Sequence, residues 1–355
     1  MGSKNIDIYG VIELVADLER RKRMSLTSLL RSSKTNQKEF QEILREIIPN
    51  KKSFQTSSGK ESFSKTDYEV LAPYALVKSD NSSIVGIAFD YLARVMLARV
   101  VKENRNESYS NITAEGGVIV LSRFLKKHRS IESKIEKKFK KNIKRLKAFC
   151  NNKRDIKELI LDVCFLAKLE RVFRSGLPPV DLLKSSFFDG PDDEVIKDLE
   201  QLCDVFQEKF MPIINPTSEI IYNPNFGIAS AFVGGADADV IIDGTLYDFK
   251  TGKNIGYKWQ EIAQIVGYYL LNETSLDIHN AEENYSMDVS FQHLDIKRIA
   301  FYRARYGEVE YIDTTYFDDK IIETAKKNLA SYFAKNPNIS RPVVEQSSYY
   351  KSFSQ

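Results

Sequence analysis

Three carboxylates and one lysine on two short β-patterned segments could carry out chemistry together. Asp239 opens the run Asp-Val-Ile-Ile-Asp, and Asp248, Phe249 and Lys250 close the run Thr-Leu-Tyr-Asp-Phe-Lys. Between them stands Asp243-Gly244, the strongest short signal for a two-residue hairpin. Alternate residues of a strand share a face, so Asp248 and Lys250 project together while Phe249 points into the core. Asp237 stands two residues before Asp239. Parity puts both on one face, and the sequence leaves both as candidates. Two or three carboxylates and an ammonium on one face are costly if buried without partners. A hard divalent cation, Mg²⁺ or Mn²⁺, held by one or two carboxylates and water would relieve that cost. Lysine beside such a metal can orient a water or stabilise charge developing on phosphate. The plain alternative is a solvent-facing Asp248–Lys250 ion pair on an edge strand.

The helix expected next, from about Trp259 to Leu271, carries Gln264 and Tyr268 four residues apart, hence on one helix face. Upstream, Gly86-Ile87-Ala88-Phe89-Asp90 lies in an apolar helical stretch. In that order these three pieces resemble the PD-(D/E)XK nuclease superfamily, in its RecB-like branch with a Q-x-x-x-Y motif. They cover about residues 84–105 and 230–315. The resemblance implies a metal-dependent nuclease that hydrolyses phosphodiester bonds, of DNA more than RNA, with Mg²⁺ (or Mn²⁺) as cofactor. It implies a metal on Asp239 and Asp248, with the Phe249 carbonyl as a backbone ligand and Asp237 as the rival to Asp239. It implies Lys250 as base or charge stabiliser, and Gln264 and Tyr268 on substrate phosphate or bracing Lys250. Asp90 stands where that branch usually has His, and pairing with Arg94 at i+4 is its structural alternative. That departure suggests a second function class: a catalytically inactive nuclease-fold subunit that binds nucleic acid or a protein partner.

The elements that must position these residues are legible in the apolar periodicity. Helical spacing is expected around Ile12–Leu18 and Phe40–Ile47, then a Ser/Thr/Lys-rich mobile loop from Lys51 to Lys65. Ile84–Val101 is apolar on nearly all sides and reads as a buried helix. Ile131, Ile135, Phe139, Ile143 and Leu146 make an amphipathic helix with a cationic outer face. A helix over Ile156–Phe173 is ended by Ser175-Gly176, and Asp189-Gly190-Pro191 opens another. After the hairpin and its helix, a polar insertion (Asn272–Ser286) precedes strands at about 298–304 and 308–313, and a last helix covers about 318–334. This order fits an α+β fold (an α/β-type nuclease core), a small mixed sheet flanked by helices with large helical N-terminal and inserted regions. The expected organisation is a helical region over 1–80, a core helix over 81–110, an insertion over 111–211, the nuclease core over 212–340 and a polar tail over 341–355.

Charge is unevenly distributed. The 355 residues hold 52 Lys+Arg and 49 Asp+Glu, a net charge of only +3. Yet Leu121–Asp155 holds fourteen Lys+Arg against three acids, and Asp181–Phe210 holds nine acids against three lysines. The small total therefore does not argue against nucleic acid. Pairing of the basic and acidic helices in a homo-oligomer is a further partner reading. No run of apolar residues reaches the length of a membrane span, so no membrane partner is expected. Three widely spaced cysteines, Cys150, Cys164 and Cys203, and a start without a signal-type apolar region imply reduced thiols and a cytoplasmic setting. Phosphate-cradling, dinucleotide, nucleophile-elbow and zinc-helix motifs are lacking. His128, His279 and His293 are isolated, and Trp259 reads as an anchor at a helix start.

Overall fold

Asp243 and Gly244 both adopt positive φ, +49° and +75°, as a type I′ turn demands of its two central residues. The strands they join are Val240–Ile242 and Thr245–Lys250, paired antiparallel in the register Val240↔Tyr247 and Ile242↔Thr245. The hairpin signal therefore fixes the pairing on which the candidate site rests.

The computed structural model describes residues 25–151, 155–282 and 293–336. In chain order its principal elements begin with α1 (Leu26–Arg31), α2 (Thr35–Arg45) and β1 (Gln55–Thr56). Five helices follow: α3 (Asn81–Val100), α4 (Thr113–Phe124), α5 (Arg129–Asn151), α6 (Ile160–Ser175) and α7 (Asp193–Val205). Then come β2 (Ile220–Tyr222), α8 (Gly227–Phe232), β3 (Val240–Ile242), β4 (Thr245–Lys250) and α9 (Trp259–Glu282). Last are β5 (Arg298–Arg303), β6 (Glu308–Asp313) and α10 (Asp319–Lys335). The Ile12–Leu18 face and the 341–355 tail lie outside the described residues, as do 283–286 of the polar insertion. The fold is α+β, with one six-stranded mixed sheet.

Two compact units divide the chain. Among the described residues one holds 75–99, 106–151 and 155–200; the other holds 25–74, 100–105, 201–282 and 293–336. This differs from the expected organisation in two respects. The helix around Asp90 groups with the helical unit and not with the sheet, and residues 25–74 group with the sheet. In the helical unit, α4 and α6 meet at Gly116 and Gly117, where a Cβ would overlap the Phe173 ring and the Leu169 carbonyl. Gly176 ends α6 with φ +70°, the left-handed cap that glycine adopts without steric cost. All three cysteines are buried thiols, none of them in a disulfide.

In the sheet unit the strand order is β1-β6-β5-β4-β3-β2. β4 and β5 run parallel and are joined through α9, as a parallel pair requires a crossover. The other pairs are antiparallel. One sheet face packs on α1, α2, α8, α9 and α10 through Leu246, Ile299, Phe301, Ile265, Leu329 and their neighbours. On the other face Phe249 and Tyr302 pack against Phe206 and Phe210, with ring centroids 4.7–5.9 Å apart.

Two expectations are corrected here. The Lys51–Lys65 stretch is not a free loop: it supplies β1, and Ser57 Oγ and the Phe63 N–H donate to Glu308 and Glu310 at 2.6 and 2.7 Å. The polar insertion does not start at Asn272, because α9 continues to Glu282. Asn272 and Ser275 are fully buried and bonded on both sides. Asn272 donates to the Leu294 carbonyl and accepts from its N–H, while Ser275 accepts from the Ala229 N–H and donates to the Phe226 carbonyl. Polar side chains with complete hydrogen bonding can occupy a core.

Candidate active site

Asp239 immediately precedes β3, one step beyond the Val240↔Tyr247 pair, which sets it across from Asp248. Its Oδ2 accepts a 2.6 Å hydrogen bond from the Phe249 N–H. Asp248 and Lys250 share the sheet face that carries Leu246 and Phe301, while Phe249 faces the opposite aromatic layer. The Asp248 side chain is only 8% exposed, and Lys250 Nζ stands 2.5 Å from its Oδ2. That oxygen is thereby engaged by the Lys250 ammonium in an ion pair. The pair is thus not the solvent-facing bridge of the plain alternative. β4 is also an interior strand, flanked by β3 and β5.

Gln264 and Tyr268 lie on the α9 face turned to the same place. Gln264 Nε2 donates to the Tyr268 hydroxyl at 2.7 Å. Burial pushes the Tyr268 hydroxyl well above the ordinary tyrosine range, and the negative charges of Asp248, Asp237 and Asp239 push it the same way. One phenol therefore senses all three carboxylates, and it stays protonated. Its ring stacks on Phe226, centroids 5.1 Å apart. Asp237 is half-buried and bridges to Asn225 through its backbone. Asp237, Asp239, Asp248, Lys250, Gln264 and Tyr268 are thereby brought to one locality, on elements fixed by the hairpin and by α9.

Asp90 is placed differently. It lies in the helical unit, on α3, where Arg94 Nη2 and Nε hold its two oxygens at 2.5 and 3.0 Å. Burial, with the Glu170 charge, pushes its carboxyl up to about 6 against the pull of Arg94. The i+4 pairing weighed as the alternative is the one present.

The residues fit a divalent cation in one respect and fall short in another. The Asp248 carboxylate, opposite Asp239, offers oxygens of the kind a hard cation uses with water. Among the described residues, however, no three His, Cys, Asp or Glu side chains gather closely enough to form a complete protein cage. A metal here would be held by two carboxylates, with water and substrate oxygens completing the shell.

A cleft of about 270 Å³ opens beside Lys250, lined by Thr27, Leu30, Arg31, Phe249, Thr251, Gly252, Gln260, Glu261 and Gln264. Thr27 and Arg31 had no signal in the sequence beyond their i, i+4 spacing. Glu261 could have been noticed as an acid in the first turn of the helix that follows the strand. Burial pushes the Glu261 carboxyl up, but Arg303, Lys258 and Lys250 outweigh it and hold it below the ordinary range. Trp259 is an anchor as read, its ring lying 4.1 Å under the Arg45 guanidinium.

Among family models, curated proteins and solved structures, none matches this chain.

Proposed function

We propose that this protein is a metal-dependent nuclease acting on phosphodiester bonds, with DNA as substrate. The observation that carries the reading is the buried Asp248 carboxylate, ion-paired with Lys250 and set across from Asp239, which is itself fastened to the same strand. Two carboxylates against one lysine leave negative charge in a largely buried place, which a hard cation would offset. Mg²⁺ held by Asp239 and Asp248 would supply Lewis acidity and a lowered water pKa at that point. Lys250 provides a positive charge where a phosphorane would gain negative charge. Tyr268, kept protonated by burial and by three carboxylates, orients the Gln264 amide toward the cleft. The strand order supports the same reading: an antiparallel β2-β3-β4 meander, then α9, then β5 parallel to β4.

Polyanion binding has its own support. Lys137, Lys140, Lys144 and Lys147 form one exposed stripe along α5 at spacings of three and four, and among the described residues none makes an ion pair. Such a stripe favours a phosphate backbone through counterion release. No described helix is long and apolar enough to cross a membrane.

The test is incubation with linear and circular DNA and Mg²⁺ or Mn²⁺, beside Asp248→Ala and Lys250→Ala. Cleavage by the wild type alone is expected. The same products from all three proteins would end the proposal. One observation favours the second reading, a non-catalytic binding subunit: Asp90 is engaged by Arg94 and so is not presented as a ligand. Calorimetry showing no Mn²⁺ uptake, together with salt-sensitive DNA binding, would select it.

A further inference from the structure

The cleft beside Lys250 has one wall that the sequence did not announce. α1 is short, but it is held firmly in place. Ser25 and Ser28 form a reciprocal capping box at its start. Leu26, Leu29 and Leu30 are buried, and the Leu26 N–H donates to the Gly235 carbonyl at 3.1 Å. At its other end Gln41 Nε2 donates to the Leu29 and Ser32 carbonyls at 2.9 and 2.8 Å. Leu26 also fits against Gly267 on α9, where a Cβ would come within 3.2 Å of it. The backbone that carries Thr27 and Arg31 is thereby fixed against the same helix that carries Gln264.

Arg31 is exposed and lines the cleft, and among the described residues it forms no ion pair. The other two charged residues lining the cleft are engaged, Lys250 by Asp248 and Glu261 by Arg303 and Lys258. Arg31 is therefore the cation that meets an arriving anion. Beside it the wall offers further donors, the Thr27 hydroxyl and the Gln260 amide. A planar guanidinium fork flanked by neutral donors matches phosphate oxygens in a bidentate geometry. The volume of about 270 Å³ lies just below the roughly 300–1,000 Å³ of small-molecule sites, a narrow site that suits part of a single strand better than a duplex.

We propose that the cleft between α1 and the end of β4 is a nucleotide subsite, in which Arg31 holds a backbone phosphate of an unpaired substrate strand and so positions that strand toward Lys250. Arg31 is a positioning residue, and the proposal rests on the nuclease reading above.

The full chain, Arg31→Ala and Arg31→Lys are titrated with a short fluorescent single-stranded oligonucleotide in EDTA at several salt concentrations. Cleavage of the same strand is then followed with Mn²⁺. Arg31→Ala is expected to weaken binding roughly ten-fold, about one charge-assisted contact. It should also reduce the salt slope by about 0.7, the single-strand value for one phosphate. In cleavage KM should rise by a similar factor with kcat little changed, and Arg31→Lys should recover part of both. Wild-type cleavage with all three proteins binding alike would overturn the subsite and leave the nuclease reading standing. Arg31-dependent binding without cleavage by any protein would support the subsite and overturn the nuclease reading. A wild type that neither binds nor cleaves the strand would overturn both.

Discussion

The carboxylate of Asp239 accepts the Phe249 N–H at 2.6 Å, so the acid at the start of β3 is fastened to the strand that carries Asp248 and Lys250. That bond serves position and charge at once, and two substitutions separate the roles. Asp239→Asn keeps an oxygen acceptor and loses the charge. It is expected to melt near the wild-type temperature while cleavage falls at least about 100-fold, the scale on which single electrostatic groups of preorganised sites act. Asp239→Ala loses both and leaves the N–H unpaired, which adds about 1–3 kcal/mol of destabilisation. Melting curves beside cleavage rates check this; an Asn variant that keeps its activity would remove Asp239 from the site.

The hairpin and the parity of β4 were legible because both follow from local chemistry. Asp-Gly supplies two positive φ angles, and strand alternation decides which side chains share a face. The long-range partners were not legible. Nothing local says that the Ser/Thr/Lys-rich stretch docks on β6, because its anchors are Glu308 and Glu310, some 250 positions away in sequence. Asn272 and Ser275 read as insertion residues for the same reason: their polarity is satisfied by the Leu294, Phe226 and Ala229 backbones, which only the fold brings near. Asp90 was ambiguous for a different reason, since an acid four residues before an arginine on a helix satisfies either role.

Glu310 is fully buried and organises a charged network at the sheet end. It accepts from Arg303 Nε at 2.6 Å, from the Tyr68 hydroxyl at 2.9 Å and from the Phe63 N–H at 2.7 Å. Burial and the Glu310 charge push the Tyr68 hydroxyl above its ordinary range, so it remains a donor. Glu310→Ala strips all three donors and leaves the buried Arg303 with Glu261 alone. Removing one member of a buried pair typically costs about 3–5 kcal/mol. A urea midpoint lowered accordingly, with new proteolytic cuts between 57 and 65, is the expected result. An unchanged midpoint would show that the network contributes nothing.

The carboxyl of Asp90, pushed up to about 6 chiefly by burial, binds its proton more tightly in the folded chain than in the unfolded one. Its contribution to stability is therefore full below the ordinary carboxylate range and is lost as pH rises through about 6. The expected signature is a downward slope of stability between pH ~4 and ~6 that is flatter in Asp90→Asn. The slope is the quantity to compare, because the Asn variant also leaves the buried Arg94 without its ion pair. Denaturant titrations across that window, with equal slopes in both proteins, would contradict this account.

Lys137, Lys140, Lys144 and Lys147 make the sharpest test of the charge asymmetry. They lie along one exposed stripe of α5, whose opposite side buries Ile135, Leu146 and Phe149. Changing all four to Gln therefore removes charge without touching the core, and stability should stay within about 0.5 kcal/mol of wild type. If the stripe lies against a duplex backbone, the slope of log affinity against log salt should fall by up to roughly 3.6, or about 0.9 for each phosphate no longer neutralised. Cleavage of a saturating substrate should change little, since none of the four lines the cleft beside Lys250. Binding measured by anisotropy across a salt series decides the matter. An unaltered slope would mean that the lysines are only a solvated face and that the DNA is held elsewhere.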